Sequence, residues 1–102
     1  MAQDNHVTLV GNITKDPELR YTTSGRGVAA FGLAVNRRWQ VNGEWQEQVA
    51  FFNIVAWSDL GENAAASLVK GNRVFVTGRL EQRSYEDKEG NTRSVTEVIA
   101  DD

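Results

Sequence analysis

Apolar residues alternate with polar or small residues over most of this chain, which is the spacing of β-strands. Strands are predicted at residues 7–13, 18–21, 28–35, 49–57, 73–85 and 92–100. The pair Asn42-Gly43 predicts a tight hairpin turn, and the polar stretch 87–91 predicts a second one. The chain is therefore predicted to be built mainly from antiparallel strands.

The spacing changes to a helical one at Ser58. Leu60, Ala64 and Leu68 recur every four residues, which places them on one helix face. Asp59 followed three residues later by Glu62 predicts a capped helix start, and Gly71 predicts the end of the helix after Lys70. We expect one short helix of about three turns.

We count five strands, with one short helix between the third and the fourth strand. This order of elements predicts the fold. It is typical of an all-β, five-stranded Greek-key barrel of the oligonucleotide- and oligosaccharide-binding type, the OB-fold. Gly11 and Gly78 lie inside strands and predict bulges or bends there. An SH3-like barrel is the less favoured alternative, because its helical element is usually a single turn. We expect a single domain over residues 1–102.

The strand 49–57 is the most apolar stretch of the chain. Alternation places Phe52, Ile54 and Ala56 toward the core, together with Phe31, Leu33 and Val35 of the preceding strand. The opposite face carries Phe51, Asn53, Val55 and Trp57. Two large rings on one sheet face predict a platform on which nucleobases stack. A core with two apolar sides is the alternative.

A second set of candidate ligand contacts lies on strand 73–85. Val74, Val76 and Leu80 are predicted to face the core, whereas Arg79, Arg83 and Tyr85 face solvent. By alternation Trp39 would face the core, so exposure of its ring requires a twist or bulge near Asn36. Trp45 is equally compatible with a loop anchor and a ligand contact.

The formal net charge of −3 argues mildly against nucleic acid as a ligand. The acids gather in predicted turns, however, and the arginines lie within or beside predicted strands. Aromatic residues interleaved with arginine are typical of single-stranded nucleic-acid binding, where each stacked base contributes about 1–3 kcal/mol. An oligosaccharide also stacks on aromatic rings, but it does not by itself require so many arginines.

Few residues are suited to catalysis or metal binding. The chain has no Cys and a single histidine, His6, and its paired acids lie in predicted turns. No catalytic residue, metal or cofactor is therefore predicted. The chain lacks an apolar run of the roughly 18 to 20 residues that a membrane span requires, and its first residues do not resemble a secretory signal. We expect a soluble, cytoplasmic protein.

Several motifs, taken in order, resemble the bacterial single-stranded DNA-binding proteins. They are Val10-Gly11-Asn12-Ile13, Asp16-Pro17-Glu18-Leu19-Arg20-Tyr21, Gly27-Val28-Ala29, Phe51-Phe52-Asn53-Ile54-Val55-Ala56-Trp57, Leu68-Val69-Lys70-Gly71, Gly78-Arg79-Leu80 and Arg83-Ser84-Tyr85. The resemblance runs from about residue 6 to residue 99. Each motif alone is weak, but the ordered set is specific.

The resemblance implies an OB-fold that assembles as a homotetramer and binds single-stranded DNA without sequence preference, in replication, recombination and repair at the nucleoid. It implies base stacking at positions that match Trp39, Phe51, Trp57 and Tyr85. Basic residues at or near the DNA backbone are then expected to be Arg20, Arg37, Lys70, Arg79 and Arg83. The subunit interface is expected to include His6, Thr8, Val10 and Phe52.

The chain also departs from that family. The position of Asn53 is often basic in relatives, and Tyr85 stands where several relatives carry Trp. Family members usually continue into an acidic tail that recruits replication and repair proteins, whereas this sequence stops at Asp102. We expect the natural protein to continue, and such partners only if it does. An adaptor that acts mainly through protein contacts, like the primosomal relatives, is the alternative function.

Overall fold

The computed structural model describes residues 4–102, so the first three residues of the predicted domain lie outside the described residues. It contains six strands and one helix. Their bounds are β1 Val7–Ile13, β2 Glu18–Tyr21, β3 Gly27–Val41, β4 Glu44–Trp57, α1 Ser58–Ser67, β5 Arg73–Glu86 and β6 Thr92–Ala100. All of the predicted strands are present, and several are longer than predicted.

The six strands form one sheet that closes on itself. Their order is β1-β5-β6-β4-β3-β2, and β1 pairs a second time, with β3, which closes the barrel. The short β2 strand pairs only with β3. The closed barrel therefore has five strands, β1, β3, β4, β5 and β6, with the helix between β4 and β5. The prediction of a five-stranded OB-fold barrel with one helix is confirmed.

The longest pairing in the barrel joins β3 to β4. Its register runs without interruption from Val28 opposite Trp57 to Val41 opposite Glu44. Asn42 and Gly43 close this hairpin with φ angles of 50° and 83°, as a type I′ turn requires. The end of the hairpin, residues 36–49, contains no buried residue. We call these residues the arm.

The barrel core is built from the predicted inward residues. Leu33 and Ile54 are fully buried, and Phe52, Val35 and Val74 pack half-buried against the core cluster. Two side chains differ in burial from what alternation alone indicates. Leu80 keeps its inward parity but is 44% exposed, and Val55, on the outward face, is only 8% exposed.

The helix begins and ends differently from the prediction. It starts at Ser58, directly after Trp57, and no side chain caps it. Asp59 lies inside the first turn, and Glu62 accepts a hydrogen bond from the Tyr21 hydroxyl at 3.2 Å instead of completing a capping box. This bond raises the pKa of Tyr21 above its ordinary value.

The helix ends at Ser67, where the N–H of Leu68 donates to the Ala64 carbonyl at 2.9 Å. Gly71, with a φ of 92°, belongs to the turn that follows and does not cap the helix. No helix within residues 4–102 has the length and apolar character needed to cross a membrane.

The glycines inside β1 and β5 mark close approaches and not bulges. The register between these strands is unbroken from Val7 opposite Gly78 to Asn12 opposite Arg73. At Gly78, a Cβ atom would overlap the carbonyl oxygen of Ile99 on β6. A side chain is therefore excluded because the backbones of β5 and β6 come too close there.

We predict that Gly78→Ala destabilises the fold by about 1–3 kcal/mol, because the added methyl group meets backbone that cannot move aside. Gly27→Ala is the matched control, since the atoms nearest to its added methyl group belong to the flexible side chain of Glu62 and not to backbone. Urea unfolding of both variants measures the difference. Equal unfolding midpoints would show that the approach at Gly78 is not a packing constraint.

Candidate nucleic-acid interface

The outward face of β4 carries the two aromatic residues predicted to stack on bases. Phe51 is 73% exposed, and Asn53 beside it is also exposed. Their cross-strand neighbours on β3 are Ala34 and Gly32, which are too small to cover them. Trp57 lies at the end of the same face and is half-buried. Small residues on β3 thus leave a flat ring and an amide open to solvent.

The same face continues across β6 to β5. Asn53 pairs with Glu97, and Glu97 pairs with Glu81, so these residues share one side of the sheet. Alternation along β5 adds three predicted contact residues to that side: Arg79, Arg83 and Tyr85. The outward face therefore joins the aromatic residues of β4 to the arginines of β5.

Carboxylates hold two of the three arginines of β5, Arg79 and Arg83. Arg83 Nε donates to Glu97 Oε1 at 2.9 Å, and this hydrogen bond raises the pKa of Arg83 above its ordinary value. Arg79 lies 3.5 Å from a carboxylate oxygen of Glu81. The guanidinium carbon of Arg83 is also 6.0 Å from the centre of the Tyr85 ring. Each positive charge is thus oriented along the sheet face and partly neutralised.

A tight turn fixes the end of the β5–β6 hairpin that carries Tyr85. Asp87 Oδ1 accepts hydrogen bonds from the N–H groups of Glu89 and Asn91, and Oδ2 accepts one from Arg93 Nε, all at 2.9 Å. Arg93 is the main cause that lowers the pKa of Asp87. Because Arg93 pairs with Tyr85 across the hairpin, this turn also positions the ring.

On the other side of β4, the face reaches β2. Arg20 pairs with Val28, which in turn pairs with Trp57, so all three side chains point outward. Arg20 forms an exposed 3.4 Å ion pair with Glu18. A further arginine, which the sequence analysis did not single out as a contact, lies here. The guanidinium carbon of Arg26 is 4.5 Å from the centre of the Trp57 ring.

A groove of about 300 Å³ lies between Phe51 and the β1–β2 connection. Its lining includes Thr14, Lys15, Asp16, Gly32 and Asn53. Lys70 is linked to this groove, because its backbone N–H donates to Asp16 Oδ1 at 2.8 Å. The exposed side chain of Lys70 thus belongs to the periphery of the face.

The arm presents aromatic residues on both of its sides. The unbroken register gives Trp39 the same parity as Leu33, and Arg37 stacks 4.7 Å above its ring on that side. Trp45 has the parity of Phe51, is 63% exposed, and is stacked by Arg38 at 5.1 Å. No bulge occurs near Asn36. Trp39 avoids the core because the arm extends beyond it.

The residues expected at the subunit interface separate into two groups. His6, Thr8 and Val10 lie on β1 or next to it, and His6 Nε2 is 3.3 Å from Thr8 Oγ1. Val10, 39% exposed, pairs with Phe75 of β5, which is 64% exposed. Phe52 instead packs half-buried against the core. The structure therefore does not bring Phe52 together with His6, Thr8 and Val10.

The arrangement can hold planar groups and attract anions. Exposed rings at Phe51, Tyr85 and Trp45 offer stacking faces, and arginines accompany two of them. Within residues 4–102 there is no group of three or more His, Asp or Glu residues placed to hold a metal ion.

The sequence analysis missed some residues of the site or left their role open, and only some of them could have been placed from a sequence signal. Trp45 and Arg38 could have been placed by counting the hairpin register outward from Asn42-Gly43, because that turn fixes which residues pair. The contact between Arg26 and Trp57 joins positions far apart in the chain through the β2–β3 turn. No local pattern indicates it.

Comparisons with known proteins agree with this geometry. The family model of the single-strand binding protein family matches residues 4–102. A single-stranded DNA-binding protein of Mycolicibacterium smegmatis is 48% identical over 105 residues, covering all of this chain and 64% of that protein. One from Corynebacterium glutamicum is 50% identical over 103 residues, covering 97% of this chain and 45% of that protein.

A solved structure, the Plasmodium falciparum SSB complex with ssDNA, superimposes with a TM-score of 0.86 at 27% identity. The match covers 97% of this chain and 88% of that one. The prediction that the domain is not an enzyme is confirmed, because the matching family is one of binding proteins. Since the family model and both relatives match nearly the whole sequence, the chain belongs to the single-strand binding protein family.

Proposed function

We propose that this domain binds single-stranded DNA without sequence preference, and so protects and organises it in replication, recombination and repair. The observation that carries the proposal is the outward face of β4, where Phe51 is 73% exposed beside Asn53. Exposure of an aromatic ring to water is unfavourable when the ring contributes little to the core. A nucleobase is a ligand that can cover such a ring. The names of the relatives support the same ligand.

Stacking favours single strands over duplex DNA. The bases of a duplex are already stacked on each other, and only an unpaired base offers its face to a protein ring. We propose that bases stack on Phe51, Trp57 and Tyr85. Each such contact contributes about 1–3 kcal/mol and tolerates any base, because every base has a π-face. Binding without sequence preference follows from that tolerance.

The arginines supply the contacts to phosphate. Arg79 and Arg83 lie on the outward face of β5, and Arg20 lies on that of β2, so a strand crossing β4 passes between basic residues. Lys70 would meet the backbone at the periphery. Neutralised phosphates release counterions, and affinity should therefore fall as salt rises.

The arm extends the binding surface. We propose that Trp45 continues the stacking path of Phe51, since both rings share one side of β4. Trp39 and Arg37 remain predicted DNA contacts, and DNA would reach them on the opposite side of the arm. Both sides are used if the strand wraps around the arm.

We also propose that the chain assembles as a homotetramer in the cytoplasm, at the nucleoid. The outward side of the β1–β5 pair supports this, because Val10 and Phe75 form an exposed apolar pair next to Thr8. His6 lies at the start of this surface. Phe52 would take part only indirectly, by supporting the barrel wall from inside.

Replacing Phe51 tests the stacking proposal directly. Phe51→Ala should weaken binding of an oligo-dT of about 10 nucleotides by about 1–3 kcal/mol, because one base loses its ring. Thermal stability should change little, since the ring is exposed. The control is Phe51→Tyr, which keeps an aromatic ring at this position and should bind nearly as tightly as the wild-type chain. Fluorescence titration measures both, and equal losses would contradict the proposal.

Replacing Glu97 tests the role of the β5 arginines. Glu97→Gln should tighten oligo-dT binding a few-fold, because it releases Arg83 for a phosphate and removes a negative charge from the face. Exposed ion pairs are typically worth about 0.2–1 kcal/mol, which sets that scale.

Glu81→Gln is the control for this substitution. It removes the same charge, but its ion pair with Arg79 is longer, at 3.5 Å, and its side chain is 50% exposed against 15% for Glu97. It should therefore change the affinity less. Weaker binding by Glu97→Gln, with the fold intact, would argue against Arg83 as a phosphate contact.

The assembly surface makes a separate prediction. Val10→Asp should dissociate the tetramer, because it would bury a carboxylate against a second copy of the chain. Ser94→Asp adds the same charge at an exposed position of β6 and should leave the assembly intact. Sedimentation velocity gives the mass of each variant. A tetramer formed equally well by Val10→Asp would exclude the β1–β5 surface as the interface.

A further inference from the structure

Arg26 is held in an unusually fixed position for an exposed arginine. It closes the turn between β2 and β3, where its N–H donates to Thr22 Oγ1 at 3.1 Å. Its carbonyl accepts a hydrogen bond from the Thr22 N–H at 2.9 Å, and Gly25 N–H donates to the Thr22 carbonyl at 2.8 Å. The backbone that carries the side chain is therefore tied at several points.

The side chain of Arg26 is fixed by two further contacts. Its guanidinium carbon lies 4.5 Å from the centre of the Trp57 ring, and its Nε donates to Ser58 Oγ at 3.0 Å. These two contacts hold the guanidinium plane over the indole at the junction between β4 and α1. None of the ion pairs within residues 4–102 involves Arg26, in contrast to Arg20, Arg79 and Arg83.

The donors of Arg26 are only partly used. A guanidinium carries five N–H donors, and the contact with Ser58 engages one of them. The four donors on the two terminal nitrogens have the fork geometry that suits a phosphate. The guanidinium also covers one face of Trp57, so a base cannot stack on that face of the indole while Arg26 remains in place.

We propose that Arg26 itself binds the nucleotide at this end of the interface. One face of its guanidinium rests on Trp57, the other receives a nucleobase, and the terminal amino groups donate to the adjoining phosphate. Guanidinium planes stack on bases in the same way as aromatic rings. The inference rests on the proposed function. On the side that Arg26 covers, Trp57 supports the guanidinium and does not itself touch the base.

Three variants test the role of Arg26 on oligo-dT over a series of salt concentrations. Arg26→Ala should bind roughly 5- to 150-fold more weakly, the range expected for one stacked base. The slope of log affinity against log salt should become shallower by about 0.7, because one phosphate contact is lost. Arg26→Lys keeps the charge without the plane, so it should restore the slope but not the full affinity. Arg73→Ala removes an exposed positive charge from the opposite end of β5, where Arg73 pairs with Asn12 of β1, and should change neither quantity.

The outcomes separate this inference from the proposed function. If the wild-type chain binds and Arg26→Ala binds equally or more tightly, Arg26 is a cover over Trp57, and the inference is wrong while the function stands. Full recovery by Arg26→Lys would reduce the role of Arg26 to charge alone and would also overturn the stacking role. If the wild-type chain does not bind oligo-dT, both the function and the inference fail. Circular dichroism confirms that each variant is folded.

Discussion

The alternation of side chains along the unbroken β3–β4 ladder is the constraint on which the rest of the structure depends. From Val28 opposite Trp57 to Val41 opposite Glu44 there is no bulge, so one residue of slippage would exchange the two faces completely. Leu33 and Ile54 are fully buried and hold the register. Because these residues must point inward, Phe51 and Asn53 must point outward. The exposure of the Phe51 ring is therefore a consequence of the packing of the core.

The same ladder explains how an acidic chain can present the surface proposed to bind DNA. The net charge is −3, yet the outward face alternates arginines with the carboxylates that orient them. Arg83 with Glu97 and Arg79 with Glu81 are held along the sheet at distances of 2.9 and 3.5 Å. Such pairs position the cations while the protein is free, and a polyanion can then compete with the carboxylates for them.

Sequence patterns predicted the barrel, the core face of β4 and the hairpin turn at Asn42-Gly43, because these depend on local alternation and turn chemistry. The helix ends were predicted wrongly. Asp59 and Gly71 have the right chemistry for caps, but the direct junction with Trp57 and the turn before β5 determine where α1 begins and ends. Arg26 and Val55 could not be predicted in their actual environments, because a contact across the fold and burial on the outward face are set by tertiary structure.

Single-stranded DNA is proposed to lie on the outward face of β4 and its neighbours. A titration of the isotope-labelled chain with oligo-dT, followed by amide NMR, tests this position most directly. Shifts should concentrate on residues 45–57, on the β2–β3 turn around Arg26 and on residues 79–85. Residues 63–67 of α1 should remain unchanged, and so should Leu68, Val74 and Val76, which line an apolar groove between α1 and β5. Shifts confined to α1 and that groove, or the same shifts with duplex DNA of equal length, would contradict binding of single strands to the outward face.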